Sequence, residues 1–168
     1  MAYDLLIKNG RIVDGSGMPA FRGDVGINNG KIAELGKLSG PAKRTIDAGG
    51  RVVAPGFVDN HCHFDAQVTW DPLCSFSPQH GATTVVFGNC SLGLAPIRPG
   101  TATRVAEFLS YVEAIPMNVL GTVDVEWESI AQYMNRLEGR LGVNVGNLIC
   151  GAEIRAPHAG SGVAVADR

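Results

Sequence analysis

The alternation of apolar and polar positions divides the chain into two parts. In residues 3–53, short runs rich in β-branched and large apolar residues are separated by glycine-containing turns, a pattern typical of strands. Asn9-Gly10 and Asn29-Gly30 lie between such runs, and Asn-Gly favours the positive backbone angles of a two-residue hairpin. The pattern therefore predicts a small antiparallel sheet over residues 1–52, with too few strands to close a sandwich alone.

After Val52, apolar runs alternate with segments of helical periodicity. Residues 52–60, 82–90 and 143–150 are apolar runs of the kind expected for strands buried on both faces. Residues 101–115 and 126–140 carry apolar side chains at helical spacing, and the first of these stops before Pro116. This alternation predicts an α/β fold with parallel β/α units over residues 53–149. Residues 150–168 are rich in alanine and glycine without a period, which predicts an irregular tail.

Composition narrows the class of protein. The chain has 168 residues, a net charge of -2 and 45% apolar residues, which suits a globular protein with a core. The near-neutral charge gives no electrostatic basis for binding nucleic acid or an anionic membrane. We expect no membrane span and no secretory signal, because long apolar runs and a basic amino-terminal segment are absent. The four cysteines are scattered, which favours reduced thiols in the cytoplasm over a disulfide scaffold.

Two histidines one residue apart follow the first of the predicted buried strands. His61 and His63 would share one face because side chains alternate along a strand, whereas Cys62 would face the other way. Cys90 ends the second strand, and neighbouring parallel strands lie roughly 5 Å apart. Two imidazoles and a thiolate are a suitable donor set for zinc, with one position left for water. An accidental H-x-H motif and a buried packing cysteine are the alternatives.

Other polar residues near the motif have weaker claims to a site. Asp65 is a candidate to orient an imidazole, and a solvated loop carboxylate is the alternative. Asp59 shares the face of His61, but it could equally anchor a turn. His80 lies at a predicted helix end, where histidine commonly caps carbonyl groups, and His158 lies in the irregular tail. The remaining cysteines are most simply packing residues: Cys62, Cys74 and Cys150.

Several motifs resemble those of the amidohydrolase superfamily, and in particular its N-acyl-D-amino-acid deacylase (D-aminoacylase) type. They are PGFVDNHCH from Pro55, HFDAQVTWDP from His63 and GATTVVFGNC from Gly81, in the same order and spacing as in the family. The resemblance runs from about Tyr3 to about Ile149. It implies the N-terminal part of a metal-dependent (β/α)8 barrel of the TIM type, preceded by a small antiparallel sheet that is half of a β-sandwich.

The same resemblance implies an activity and a metal centre. The expected function is that of a zinc-dependent hydrolase of linear amides, with a small-molecule N-acyl amino acid or a similar amide as substrate. By resemblance, His61, His63 and Cys90 match the metal ligands of the family. The family takes further metal-binding histidines and an aspartate general base from later barrel strands. None of these can be mapped here, so no catalytic or substrate-binding residue is assigned.

The resemblance also ends early. A complete barrel needs roughly 250 residues, which is more than the whole chain provides, and the likeness is lost near Cys150. We therefore expect an amidohydrolase that is truncated, by a shift of reading frame, and inactive alone. The alternative is a non-catalytic fragment that binds metal weakly or associates with another chain. The exposed edge of its third strand would favour such self-association.

Overall fold

A computed structural model describes residues 2–149, which form two compact units. The first unit ends at Pro55 and the second begins at Gly56. The first contains one five-stranded sheet with the order β3-β2-β1-β4, and a fifth strand pairs with the carboxyl-terminal end of β1. Its strands are β1 (Tyr3–Ile12), β2 (Phe21–Asn28), β3 (Lys31–Gly36), β4 (Ala42–Asp47) and β5 (Val52–Val53).

The sheet of the first unit is mixed, so the prediction of an antiparallel sheet is only partly right. The pairs β1–β2 and β2–β3 are antiparallel, whereas β4 and β5 run parallel to β1. The predicted hairpin at Asn29-Gly30 is confirmed, with φ of 51° and 71° at its two central residues. A small cluster of Tyr3, Leu6 and Leu38 provides buried apolar contacts.

The second predicted hairpin, at Asn9-Gly10, is wrong. Strand β1 continues through these residues, and its register against β2 shifts between Ile7 and Gly10, as in a β-bulge. Asn9 has a φ of 57°, and its backbone N–H donates to Oδ1 of the buried Asp24 at 2.8 Å. A Cβ on Gly10 would come within 2.8 Å of the Val53 side chain. Contacts with residues distant in the chain therefore place Asn9-Gly10 in a bulge within one long strand, although the local sequence favours a hairpin.

Over residues 56–149, the second unit contains a three-stranded parallel sheet and three α-helices. The strands are β6 (Phe57–Asp59), β7 (Ala82–Phe87) and β8 (Asn144–Asn147), in the order β6-β7-β8. The helices α1 (Ala102–Glu113), α2 (Met117–Leu120) and α3 (Ile130–Leu137) lie between β7 and β8 in the chain. The predicted α/β content and parallel pairing are confirmed for these strands. Within residues 2–149, no helix has both the length and the apolar character needed to cross a membrane.

The apolar run over residues 52–60 does not form one strand buried on both faces. Its first two residues pair with β1 in the first unit, whereas β6 belongs to the sheet of the second unit. Pro55 interrupts the run because proline has no N–H for a sheet ladder. Gly56 lies so close to the Thr83 side chain that a Cβ would overlap it. Phe57 and Val58 are 70% and 63% exposed, so neither face of β6 is covered within the described residues.

The core of the second unit connects the sheet to the helices. Strand β7 contributes Val85 and Phe87, helix α1 contributes Leu109, and helix α3 contributes Tyr133 and Leu137. The Tyr133 ring lies 6.2 Å from that of Phe87, measured between centroids. Packing of this kind, rather than helix propensity, holds short helices such as α3 in place.

Helix α3 is shorter than the predicted segment because its start is fixed by a capping box at Ser129. The Ser129 hydroxyl accepts a hydrogen bond from the Gln132 backbone N–H, and the Gln132 side chain accepts one from the Ser129 N–H. Trp127, before the cap, is buried and donates its indole N–H to the Leu94 carbonyl at 2.7 Å. These bonds fix the position of the first turn of α3 against the core.

Candidate metal centre

His61 and His63 lie in the loop that directly follows β6. Although the strand ends at Asp59, the loop stays beside β7, because the Cys62 backbone N–H donates to the Val86 carbonyl at 3.2 Å. Cys62 is buried in the core, whereas the two imidazole rings contact each other with centroids 5.4 Å apart. The alternation of side chains expected in a strand is therefore kept beyond the end of the strand itself.

Cys90 lies in a tight turn after β7 rather than at the strand end, since β7 ends at Phe87. The turn has positive φ angles at Gly88, Cys90 and Ser91, of 78°, 54° and 60°. Glycine is required at position 88, where a Cβ would overlap the Leu148 carbonyl oxygen. A left-handed conformation costs a non-glycine residue about 1–2 kcal/mol. The folded structure therefore imposes this turn on Cys90.

The three side chains singled out from the sequence come together in the structure. His61 Nε2 lies 3.2 Å from Cys90 Sγ. One potential ligand atom from each of His61, His63 and Cys90 lies within 4.8 Å of the other two. In a tetrahedral zinc site with Zn–N near 2.1 Å and Zn–S near 2.3 Å, neighbouring ligand atoms are about 3.5 Å apart. The cluster therefore has donor types and dimensions that fit a zinc ion.

A carboxylate from helix α1 approaches the same cluster. Glu113 Oε1 lies 3.8 Å from His63 Nδ1, and the two side chains are 25% and 24% exposed. Nδ1 of His63 is buried and has no hydrogen-bond partner among residues 2–149. Sequence reasoning missed Glu113 because it lies far from the H-x-H motif along the chain. The one sign of it in the sequence is that an acidic residue stands in the last turn of a predicted helix, where the helix dipole favours a cation.

Asp65 is buried next to this cluster, and its side chain contacts the turn of Cys90. The Gly88 backbone N–H donates to Asp65 Oδ2 at 3.2 Å, and Oδ1 has no hydrogen-bond partner in the part of the chain that is described. The Asp65 carbonyl oxygen accepts a hydrogen bond from the Tyr133 hydroxyl at 2.7 Å. Burial raises the pKa of Asp65 to about 7 against the effect of the Gly88 hydrogen bond, and the charge of Glu113 adds to the rise. Asp65 thus links the histidine loop, the turn of Cys90 and helix α3.

Two other candidates from the sequence lie outside the cluster. Asp59 Oδ1 accepts a hydrogen bond from the His61 backbone N–H at 3.2 Å, so this carboxylate anchors a turn. His80 is exposed at the end of the short 3-10 helix Pro78–His80, which precedes β7. His80 is therefore at the amino-terminal end of β7, whereas Cys90 follows the carboxyl-terminal end.

The remaining cysteines differ from Cys90 in their burial. Cys62 and Cys74 are buried, and Cys90 is exposed. Burial raises the pKa of the Cys62 thiol to about 12 and also raises the pKa of Cys74. Both thiols are therefore protonated near neutral pH, as expected of packing residues. Cys150, His158 and the predicted tail lie outside the described residues.

A family comparison identifies the class of protein. Residues 44–141, more than half of the chain, match the model of the Amidohydrolase family. The chain therefore belongs to the amidohydrolase family. The matched residues include the H-x-H motif, Cys90 and Glu113.

Within this family, the chain is similar to individual deacylases. The chain is 39% identical over 155 residues to N-acyl-D-glutamate deacylase of Alcaligenes xylosoxydans xylosoxydans, covering 90% of this chain and 29% of the relative. It matches a crystal structure of N-acyl-D-glutamate deacylase from Bordetella bronchiseptica, complexed with zinc and a phosphonate inhibitor, with a TM-score of 0.74 and 33% identity. A structure from work on the binuclear metal centre of D-aminoacylase gives a TM-score of 0.73 and 29% identity. Each structural match covers 92% of this chain and 31% of the other. The chain thus spans less than a third of these relatives.

Proposed function

We propose that the chain carries part of the active site of a zinc-dependent amidohydrolase of the N-acyl-D-amino-acid deacylase type. The observation that carries this proposal is the grouping of His61, His63 and Cys90, with one donor atom from each within 4.8 Å of the others. The substrate class would be a small N-acyl amino acid or a similar linear amide. The similarity to deacylases along 90% of the chain supports that substrate class.

In this proposal the protein's own residues hold the metal and leave it accessible. The two histidines would bind as neutral imidazoles and Cys90 as a thiolate. His61 and Cys90 are exposed, so a small amide can reach the cluster from solvent. When bound, zinc polarises an amide carbonyl and activates water as a nucleophile near neutral pH. Reduced thiols, which this donor set requires, suit a cytoplasmic location.

We further propose that residues 53–149 are the first β/α units of a (β/α)8 barrel, and that residues 1–52 are part of a β-sandwich. The parallel order β6-β7-β8 and the match to much longer deacylases support this assignment. Active sites of such barrels are built from loops at the carboxyl ends of all eight strands. We therefore expect the 168-residue chain alone to have little or no turnover.

Zinc titration of the purified chain tests the metal site directly. We expect one zinc ion per chain in competition with a chromophoric chelator, and at least tenfold weaker binding in Cys90→Ser and His61→Ala. His80→Ala is the matched control, because His80 is exposed and lies before β7. Wild-type protein that binds no zinc, or variants that bind it as tightly as His80→Ala does, would contradict the site. Chelator-sensitive hydrolysis of N-acetyl-D-amino acids by this chain would contradict the expected inactivity.

A second candidate is a non-catalytic fragment that associates with another chain. It is favoured by apolar side chains that are exposed on β6 and after β8: Phe57, Val58, Leu148 and Ile149. Unpaired apolar strands of this kind promote association. Analytical ultracentrifugation with metal analysis separates the two candidates. A monomer with one bound zinc supports the metal site, whereas metal-free oligomers support the fragment.

A further inference from the structure

The environment of His63 contains a carboxylate to which the proposed metal site gives no role. Nδ1 of His63 is buried and lacks a hydrogen-bond partner in residues 2–149, and Glu113 Oε1 is 3.8 Å away. Histidines that bind a metal through one ring nitrogen almost always donate the N–H of the other nitrogen to a carboxylate, a carbonyl or water. As a metal ligand through Nε2, His63 would therefore need an acceptor for its Nδ1–H, and the Glu113 carboxylate lies close enough to provide one.

The position of Glu113 at the carboxyl-terminal end of its helix is electrostatically unfavourable unless a hydrogen-bond donor or a cation lies nearby. It is the last residue of α1, and Ala114 ends the helix with a φ of 53°. A carboxylate in the last turn faces the negative end of the helix dipole, so it is unfavourable there without a nearby donor or cation. Glu107, which lies earlier in the same helix, is exposed to solvent. Of the two α1 glutamates, Glu113 is the one that faces the histidine loop.

Asp65 does not compete for this role. Its Oδ2 accepts a hydrogen bond from the Gly88 backbone, and its Oδ1 makes no hydrogen bond with an imidazole in the described chain. The carboxylate that was expected from the sequence to orient a histidine is thus engaged with the turn of Cys90. Among residues 2–149, Glu113 is the carboxylate within ion-pair distance of His63.

We infer that Glu113 is the positioning residue for His63, accepting a hydrogen bond from Nδ1–H so that Nε2 is left to bind the metal. The inference rests on the metal site proposed above. The present separation exceeds a charge-assisted hydrogen bond by about 1 Å. Rotation about the bonds of the Glu113 side chain can close such a gap without movement of the helix. The contact would fix both the tautomer and the ring orientation of His63.

Zinc affinity of the full 168-residue chain provides the first test. We expect Glu113→Ala to bind zinc about 10–100-fold more weakly than the wild type. Glu113→Gln should lose less, because its amide oxygen can still accept a hydrogen bond. Glu107→Gln is the matched control on the same helix and should bind zinc as the wild type does. Thermal unfolding of the metal-free proteins shows whether a variant has lost its fold.

Nitrogen-15 NMR of the histidine rings supplies a readout that a purely structural role would not change. In the zinc-bound wild type, we expect a slowly exchanging proton on Nδ1 of His63 and a metal-induced shift at Nε2. In Glu113→Gln, the Nδ1 proton should exchange faster. If the Glu113 variants fail to fold, the wild-type spectrum still tests the inference, because an Nδ1 that carries the metal or a rapidly exchanging proton would contradict it.

The possible outcomes distinguish failure of the proposed metal site from failure of the role proposed for Glu113. Wild-type protein that binds no zinc would overturn the metal site and the role of Glu113 together. Zinc binding that is equal in wild type and Glu113→Ala would overturn the role of Glu113 and leave the metal site standing. Metal bound to Nδ1 of His63, in place of a proton, would do the same.

Discussion

The hydrogen bond between Tyr133 and the Asp65 carbonyl gives a prediction whose size follows from the structure. Tyr133→Phe keeps the aromatic ring, which packs 5.1 Å from Trp127, and removes only the hydroxyl that donates at 2.7 Å. Tyr133 is 0% exposed and Asp65 is 2% exposed, so water cannot easily replace the lost donor. A buried acceptor left without a partner costs about 1–3 kcal/mol. We expect the free energy of unfolding to fall by that amount.

Urea unfolding followed by tryptophan fluorescence measures this loss. Trp127 is 4% exposed and adjoins Tyr133, so its emission reports unfolding of the second unit. With an m-value of about 1–3 kcal/mol/M, the expected loss moves the midpoint by roughly 1 M. An unchanged slope would show that the variant alters stability and leaves the surface exposed on unfolding unchanged.

Tyr111→Phe is the matched control for this experiment. Tyr111 lies in α1 and is 89% exposed, so loss of its hydroxyl should change stability by less than about 0.5 kcal/mol. If Tyr133→Phe were as stable as Tyr111→Phe, the hydrogen bond to Asp65 would contribute nothing. Helix α3 would then not hold the histidine loop in place through this bond.

Two further predictions concern the turn of Cys90 and the bulge in β1. Gly88→Ala should destabilise the protein more than Gly15→Ala and weaken zinc binding. Both glycines have positive φ, but only at position 88 would a Cβ overlap a backbone oxygen, that of Leu148; urea unfolding and zinc titration measure the difference. Burial acts to raise the pKa of Asp24, but hydrogen bonds from the backbone of Leu38 and Asn9 outweigh it and lower the pKa. This stabilisation is complete above the unfolded-state pKa near 3.9 and is lost as the pH falls through the lower folded-state value. Unfolding midpoints between pH 6 and pH 2 should therefore fall less steeply in Asp24→Asn, and equal slopes would contradict the assignment.

The sequence by itself determined the features that depend on local chemistry. Apolar periodicity predicted strands β7 and β8 and helices α1 and α3, and Asn29-Gly30 predicted a hairpin, because these signals act between residues that are close in the chain. The residue types of a metal site could also be named, since imidazoles and thiolates are the donors that zinc prefers. Zinc binding by them stays a prediction.

Only the tertiary structure decided how distant segments meet. Contacts with Asp24 and Val53 hold Asn9-Gly10 as a bulge within β1 rather than as a hairpin turn. The Leu148 carbonyl lies so close to Gly88 that it restricts the turn that carries Cys90. The distance between Glu113 and His63 likewise comes from the tertiary structure, although the place of Glu113 at the end of a predicted helix was visible in the sequence. Such contacts depend on how helices and strands pack against each other, and a single sequence records periodicity and turn chemistry but not the distances that packing creates.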